Sequence, residues 1–177
     1  MMKESKGRVL IFTGEGKGKT TAALGMTLRA AGHGQRILIV QFIKADNSTG
    51  EIKGLEFIPG IKLIRTGLGF VPSVDDPAYP DHVRAAQEAW RQAAEGLNSG
   101  TFDLVILDEI FVAIKKGLVK EDQLLAILKE DQGTPCIVLT GRGAGQTFFD
   151  LADTVTVMDG LKHGLQQGWT KQKGVEY

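Results

Sequence analysis

Residues 8–20 read RVLIFTGEGKGKT, a stretch that joins an apolar run to a glycine-rich turn. The apolar run, residues 8–13, has the pattern of a strand covered on both faces. Residues 20–31 (TTAALGMTLRAA) follow the turn and are rich in strong helix formers. A strand, a glycine turn and a helix in this order form the context that a phosphate-binding loop requires.

The rest of the chain alternates short β-branched runs with longer helical patterns, which predicts an α/β fold with a parallel sheet. Further strands are expected at 36–42, 61–65, 104–107, 136–139 and 154–158. Helices are expected at 80–98, 109–116, 121–130 and 146–152. Residues 45–60 and 66–80 are expected to be irregular, and 161–177 is interpreted as a polar tail. Right-handed crossovers would bring the carboxyl ends of all strands to one edge of the sheet. Function is therefore expected along that edge, at 13–20, 43–50, 66–80, 108–109 and 140–145.

The composition restricts the class of protein. The 177 residues are 42% hydrophobic and 24% charged, which are globular values and fit one domain spanning 1–177. Lys plus Arg number 21 and Asp plus Glu also 21, so no global field attracts nucleic acid or anionic lipid. The single cysteine, Cys136, excludes an intrachain disulfide. With no apolar run typical of a signal peptide or membrane span, the sequence predicts a cytoplasmic protein with neither nucleic acid nor membrane as partner.

The glycine turn predicts a polyanion site. Gly14, Gly16 and Gly18 allow backbone N–H groups to face an anion, and the helix adds its positive end. Lys19 would bind outer phosphates and the Thr20 hydroxyl would bind Mg²⁺. The neighbouring residues expected to contact the nucleotide are Glu15, Lys17 and Thr21. The alternative is a strand-to-helix turn without a ligand, and Thr13 does stand where the strict Gly-x4-Gly-Lys-Thr pattern has glycine.

Residues 103–109 (DLVILDE) predict an apolar strand that ends in two carboxylates, Asp108 and Glu109. In a phosphate-loop protein, a carboxylate at this place lies across from the loop threonine and holds Mg²⁺ directly or through water. The alternative is a carboxylate pair that caps the next helix. The sequence leaves open which of the two would bind the metal directly.

A second glycine turn, residues 140–143 (TGRG), places Arg142 on the same edge, where a guanidinium can bind phosphate in a bidentate manner. The alternative is a solvated loop arginine. The weaker candidates Lys162 and His163 are interpreted as surface residues, as are His33 and His82. No Ser-His-Asp or Cys-His arrangement is visible, so catalysis would depend on positioning and electrostatics.

Several pieces of the chain together resemble the P-loop type of ATP:cob(I)alamin adenosyltransferase, the corrinoid adenosyltransferases. They are TGEGKGKTTAA at 13–23, RAAGHG at 29–34, VQFIK at 40–44, LDE at 107–109, LTGRG at 139–143, LADT at 151–154, KH at 162–163 and KGVEY at 173–177. They follow the order and spacing of that family over nearly the whole chain. The resemblance implies a P-loop NTPase fold with a RecA-like, mostly parallel sheet of about six strands and helices on both faces. It also implies a homodimer that uses ATP, Mg²⁺ and a corrinoid, with a reductase as electron donor.

The reaction implied by the resemblance is attack of corrinoid Co(I) on the 5′ carbon of ATP, with triphosphate as leaving group. Lys19, Glu109 and Arg142 would be the catalytic residues. The loop at 66–80 would place the corrinoid and Phe70 would contact it. Family members carry Phe-Thr-Trp in this loop where the present chain reads TGLGFV at 66–71. Many members also carry a long N-terminal cover; here seven residues precede the first strand, so we expect the cover to be dispensable or replaced by another segment.

Two other functions fit the same residues. One is an NTP hydrolase in which Glu109 polarises water toward the γ-phosphate, and release of orthophosphate would favour it. The other is a nucleotide-dependent corrinoid-binding module without turnover.

Overall fold

A computed structural model describes residues 7–46, 48–130, 135–162, 164–170 and 172–175 of the chain. The strands are β1 (Val9–Thr13), β2 (Ile37–Gln41), β3 (Ile61–Arg65), β4 (Leu104–Asp108), β5 (Cys136–Thr140) and β6 (Thr154–Val157). The helices are α1 (Lys19–Gly32), α2 (Gly50–Glu56), α3 (Tyr79–Asn98), α4 (Ile110–Lys115), α5 (Glu121–Lys129) and α6 (Gln146–Phe149), followed by a 3₁₀ helix at Gly164–Gln167. Within these ranges, no helix combines the length and apolar character needed to cross a bilayer.

The six strands form one parallel sheet in the order β3-β2-β4-β5-β1-β6. The predicted α/β fold with a parallel sheet of about six strands is thereby confirmed. Because all strands run in the same direction, their carboxyl ends meet at one edge. The register pairs Gln41 of β2 with Asp108 of β4 at that edge. The strand ends named from the sequence thus lie together.

Alternation along the strands divides the core into two layers. In β2 and β4 one set of side chains, including Leu38 and Leu107, packs in a cluster with α3, α4 and α5. The opposite set, including Ile39 and Ile106, packs in a cluster with α1 and α2. The side-chain period of two along a strand produces this separation. Helices therefore cover both faces, and the apolar runs of the central strands follow from that double burial.

One sequence expectation was wrong: residues 45–60 are not wholly irregular, because α2 occupies Gly50–Glu56. Its sequence, GEIKGLE, contains two glycines and has poor helix propensity. Burial of Leu55 in the α1 layer provides tertiary packing that propensity does not. The helix matters for function because its first turn reaches the carboxyl edge of the sheet.

The glycine turn rests on the chain that follows β6. The Gly16 amide donates a hydrogen bond to the Met158 carbonyl oxygen at 2.6 Å. A Cβ placed on Gly16 would lie 2.6 Å from that oxygen and 2.7 Å from the carbonyl carbon of Asp159. These are backbone atoms, so they cannot move away as a flexible side chain can. Glycine at this position therefore permits the close contact between the turn and residues 158–160.

We predict that Gly16→Ala destabilises the fold by about 1–3 kcal/mol, because the added methyl group forces the two backbone segments apart. The matched control is Gly25→Ala in α1, where no atom lies within 4 Å of an added Cβ. That control should gain about 0.5–1 kcal/mol from helix propensity. Urea denaturation followed by circular dichroism measures both. Equal stability of the two variants would contradict this account of the contact.

Candidate functional site

The glycine turn between β1 and α1 folds back on its own lysine. Gly14 and Gly18 adopt φ values of 97° and 109°, which L side chains rarely reach. The Lys19 ammonium donates hydrogen bonds to the carbonyl oxygens of Gly14 at 2.8 Å and Gly16 at 2.6 Å. The Lys19 side chain crosses beneath the loop and the residue is only 6% exposed. Burial lowers the pKa of this ammonium, and the charge of Arg142 lowers it further.

A buried carboxylate, Asp108, joins the loop to the sheet. Its Oδ1 accepts hydrogen bonds from the hydroxyls of Thr20 at 2.8 Å and Thr140 at 2.7 Å. Its Oδ2 accepts one from the Gln41 amide at 3.0 Å and lies 3.3 Å from the Lys44 ammonium. Asp108 is 1% exposed. The threonine of the glycine turn and the last residue of β4 are therefore in direct contact, as the two motifs predicted.

The next residue, Glu109, has a backbone conformation that turns it away from the strand direction. Its φ is 62°, the one positive value among the non-glycine residues that the structure describes. The Glu109 amide donates to the Thr140 hydroxyl at 2.9 Å, which fixes the turn. Burial raises the pKa of the Glu109 carboxyl, and the neighbouring Asp108 charge adds to this effect. Strained backbone of this kind clusters at functional sites.

Arg142 extends from the turn after β5 toward the glycine loop. Its Nη2 donates to the carbonyl oxygen of Glu15 at 3.3 Å, and its Nε lies 3.4 Å from the carboxylate of the same residue. Both side chains are largely exposed. This contact agrees with the sequence expectation that residues 140–143 and the glycine loop lie at the same edge of the sheet.

These residues surround a cleft of about 920 Å³. The described residues that line it are Gly16, Lys17, Gly18, Lys19, Thr20, Thr21, Leu24, Ile43, Lys44, Gly50, Glu51, Glu109, Val112, Lys115, Lys116, Arg142, Gly174 and Val175. Six of them are cationic and two are carboxylates. In a chain with equal numbers of acidic and basic residues, this local concentration of positive charge would attract a polyanion.

The donor set at the sheet edge fits a hard divalent cation. The Thr20 hydroxyl and the carboxylates of Asp108 and Glu109 are oxygen ligands of the kind Mg²⁺ prefers. Among the described residues no group of three or more His, Cys, Asp or Glu could hold a metal alone. Mg²⁺ commonly combines one or two carboxylates with substrate phosphates. The residues therefore fit a magnesium ion that arrives with a nucleotide.

Four sequence candidates are absent from the described residues that line the cleft, namely Gly14, Glu15, Phe70 and Asp108. Phe70 is 91% exposed, in the loop between β3 and α3, and is absent from the described lining. Glu15 points outward beside Arg142. Of the weaker pair, Lys162 is exposed and His163 lies outside the described residues. The contact of Phe70 with a corrinoid stays a prediction.

Several site residues were missed by sequence reasoning. Gln41, Lys44 and Thr140 contact Asp108, and Glu51 of α2 lies 3.6 Å from the Lys44 ammonium. A glutamine at the end of an otherwise apolar strand was a signal for Gln41. Glu51 offered none, because its segment was expected to be irregular. Val175 near the end of the chain accepts a hydrogen bond from Lys17 at 3.2 Å and lines the cleft.

Comparison with solved structures supports the fold. A KaiC-like protein from Pyrococcus horikoshii OT3 matches with a TM-score of 0.54 and 17% identity, over 87% of this chain and 73% of that one. At this level of identity the likeness concerns the fold alone. It agrees with the expected RecA-like arrangement of P-loop proteins.

Sequence comparisons are more specific. The corrinoid adenosyltransferase of Pseudomonas aeruginosa is 38% identical over 99% of this chain and 86% of its own length. The corrinoid adenosyltransferase of Escherichia coli K12 is 33% identical over 98% of this chain and 87% of its own length. The corrinoid adenosyltransferase CobA of Salmonella typhimurium is also 33% identical, over 98% and 87%. The family model for ATP:corrinoid adenosyltransferase BtuR/CobO/CobP matches residues 5–177. The chain therefore belongs to the ATP:corrinoid adenosyltransferase family, as its sequence motifs indicated.

Proposed function

We propose that this chain transfers the 5′-deoxyadenosyl group of ATP to the Co(I) of a corrinoid and releases triphosphate. One observation carries the proposal: the phosphate loop, Glu109 and Arg142 line a single cationic cleft in a member of this family. The described lining contains no serine, cysteine or histidine. This fits a reaction whose nucleophile belongs to the second substrate.

In this reaction the cobalt donates its electron pair to C5′, and a cobalt–carbon bond forms. The bond between C5′ and the triphosphate oxygen breaks, and its electron pair leaves with the triphosphate. The cobalt is oxidised formally from Co(I) to Co(III). The protein must therefore hold C5′ in line with the cobalt and stabilise negative charge on the leaving oxygen.

The cleft residues divide these tasks. The glycine loop and Lys19 bind the triphosphate, and Arg142 approaches it from the turn after β5. Thr20 and Glu109 would hold Mg²⁺, which supplies positive charge to the leaving triphosphate when bound. Asp108 accepts four contacts and is fully engaged, so we assign it to positioning of Thr20 and assign direct ligation to Glu109.

The remaining sequence expectations complete the proposal. Residues 1–177 act as one domain in a cytoplasmic homodimer, and a separate reductase supplies the electron that forms Co(I). The loop between β3 and α3 places the corrinoid, with Phe70 as its aromatic contact. Support for this role is the exposure of Leu68, Phe70 and Val74, three apolar side chains on one loop.

The decisive experiment is anaerobic incubation of the protein with ATP, Mg²⁺ and chemically reduced cobalamin. We expect loss of the Co(I) absorbance together with release of triphosphate in equal amount. Orthophosphate as the product would indicate the hydrolase instead. Tight corrinoid binding with no change in Co(I) absorbance would indicate a binding module.

We predict that Lys19→Ala lowers the adenosylation rate by about 10²–10³-fold, the loss typical of a buried group that stabilises a developing charge. Lys17→Ala is the matched control in the same loop. Its ammonium is more exposed and screened by water, so the loss should be about tenfold or less. Rates are read from the Co(I) absorbance. A Lys19→Ala protein that reacts at the parental rate would refute the assignment.

We predict opposite effects for changes at the two carboxylates. Glu109→Gln should preserve or raise the melting temperature, because burial already disfavours its charged form, yet it should weaken Mg²⁺-dependent binding of ATP. Asp108→Asn should lower the melting temperature, because its NH₂ group would replace an oxygen that has two donors beside it, Thr20 and Thr140 at Oδ1 or Gln41 and Lys44 at Oδ2. Scanning calorimetry and titration calorimetry measure these quantities. If ATP binding still depends on Mg²⁺ in both variants as it does in the parent protein, the metal binds elsewhere.

A further inference from the structure

Lys44 lines the cleft, and the motif that contains it, VQFIK at 40–44, gave it no individual role. It follows β2 by three residues, and its backbone neighbour Ile43 is held by the loop after β3. The Gly69 amide donates to the Ile43 carbonyl at 2.8 Å, and a Cβ on Gly67 would lie 2.3 Å from the Ile43 carbonyl carbon. The start of the Lys44 side chain is therefore fixed by close backbone packing.

The ammonium of Lys44 lies between two carboxylates of different character. It is 3.3 Å from Oδ2 of Asp108, which is 1% exposed, and 3.6 Å from Oε1 of Glu51, which is 27% exposed. Its hydrogen bonds from the hydroxyls of Thr20 and Thr140 and from the Gln41 amide come from neutral donors. Among the described residues, Lys44 is thus the cation in contact with this buried charge. A buried carboxylate without a cation is strongly unfavourable.

A divalent cation on Thr20 and Glu109 would neutralise the same carboxylate. The Thr20 hydroxyl already touches Asp108 Oδ1, while Lys44 lies against Oδ2. Such a cation and the Lys44 ammonium would repel each other, because both would neutralise the same carboxylate. Lys44 already has a second partner, because its ammonium lies 3.6 Å from Glu51, which faces the same cleft.

We propose that Lys44 is a positioning residue that acts as the internal counter-cation of Asp108 in the nucleotide-free site. Its ammonium leaves Asp108 for Glu51 when the metal that accompanies ATP takes over this charge. Lys44 thereby keeps Thr20 and Asp108 in place before the substrate arrives, at the expense of some metal affinity. The inference rests on the proposed function, because the metal is the one assigned there to ATP.

The test uses the whole chain, with ATP held at saturation and MgCl₂ titrated while the melting temperature is recorded. Without metal, Lys44→Met should melt about 5 °C below the parent because Asp108 loses its cation. Its half-maximal Mg²⁺ concentration should fall about tenfold, since the metal no longer competes with an ammonium. Lys44→Arg retains the charge and should stay within about threefold of the parent.

Two further variants separate this effect from general electrostatics. Lys116→Met makes the same change of charge in the same cleft, away from Asp108, and should shift the Mg²⁺ midpoint by about twofold or less. Glu51→Gln removes the alternative partner of Lys44 and should raise the midpoint about threefold. It also keeps the proposal testable if Lys44→Met fails to fold.

An unchanged or higher midpoint for Lys44→Met would overturn the proposal, as would equal shifts for Lys44→Met and Lys116→Met. A midpoint for Glu51→Gln at or below that of the parent would also overturn it. Failure of the proposed function looks different. In that case the parent itself would show no Mg²⁺-dependent stabilisation by ATP.

Discussion

The site depends on one buried carboxylate. Asp108 ends the central strand β4, and its two oxygens contact side chains from α1, from β2, from β5 and from the segment after β2. A carboxylate so far from water must have all its lone pairs satisfied, so these four segments are held at fixed distances. The glycine loop, Thr20 and the turn that carries Arg142 acquire their mutual positions from this requirement.

The cleft above Asp108 combines a rigid base with an excess of positively charged side chains. Lys19 is buried against its own loop carbonyls, and the positive φ of Glu109 directs its carboxyl away from the strand. Both features have a cost in the isolated chain, through desolvation for Lys19 and backbone strain for Glu109. A triphosphate would offset the desolvation of the Lys19 ammonium, and a metal would offset that of the Glu109 carboxyl, since each brings the opposite charge. Such preorganisation suits a reaction in which charge develops on a leaving group.

Most of the fold could be predicted from the sequence, because the strands and the long helices have unambiguous periodicity. Buried strands such as β2 and β4 are continuous apolar runs, and the stripe of α3 has the spacing of a helix. The phosphate loop and the two carboxylates at the end of β4 could also be predicted, because each motif is contiguous in the sequence. Helix α2 was not, since GEIKGLE has little helical character and forms through burial of Leu55.

The site residues that sequence reasoning missed were also unpredictable because they depend on tertiary contacts. Lys44 and Glu51 belong to it only because β2 lies next to β4, in a register that aligns Gln41 with Asp108. Periodicity shows that a strand is buried but not which strand is its neighbour. Contacts between segments far apart in the chain therefore had to come from the structure.

The position of β1 also bears on how the protein is made. It lies between β5 and β6, with Val9 opposite Ile137 and Leu10 opposite Thr154, and the glycine loop rests on Met158. Both lateral neighbours of the first strand, β5 and β6, are synthesised long after it. A growing chain thus exposes its nucleotide motif long before the support for that motif exists, and non-local pairing of this kind is slow. The nascent chain has no finished binding loop until β5, β6 and residues 158–160 have been synthesised.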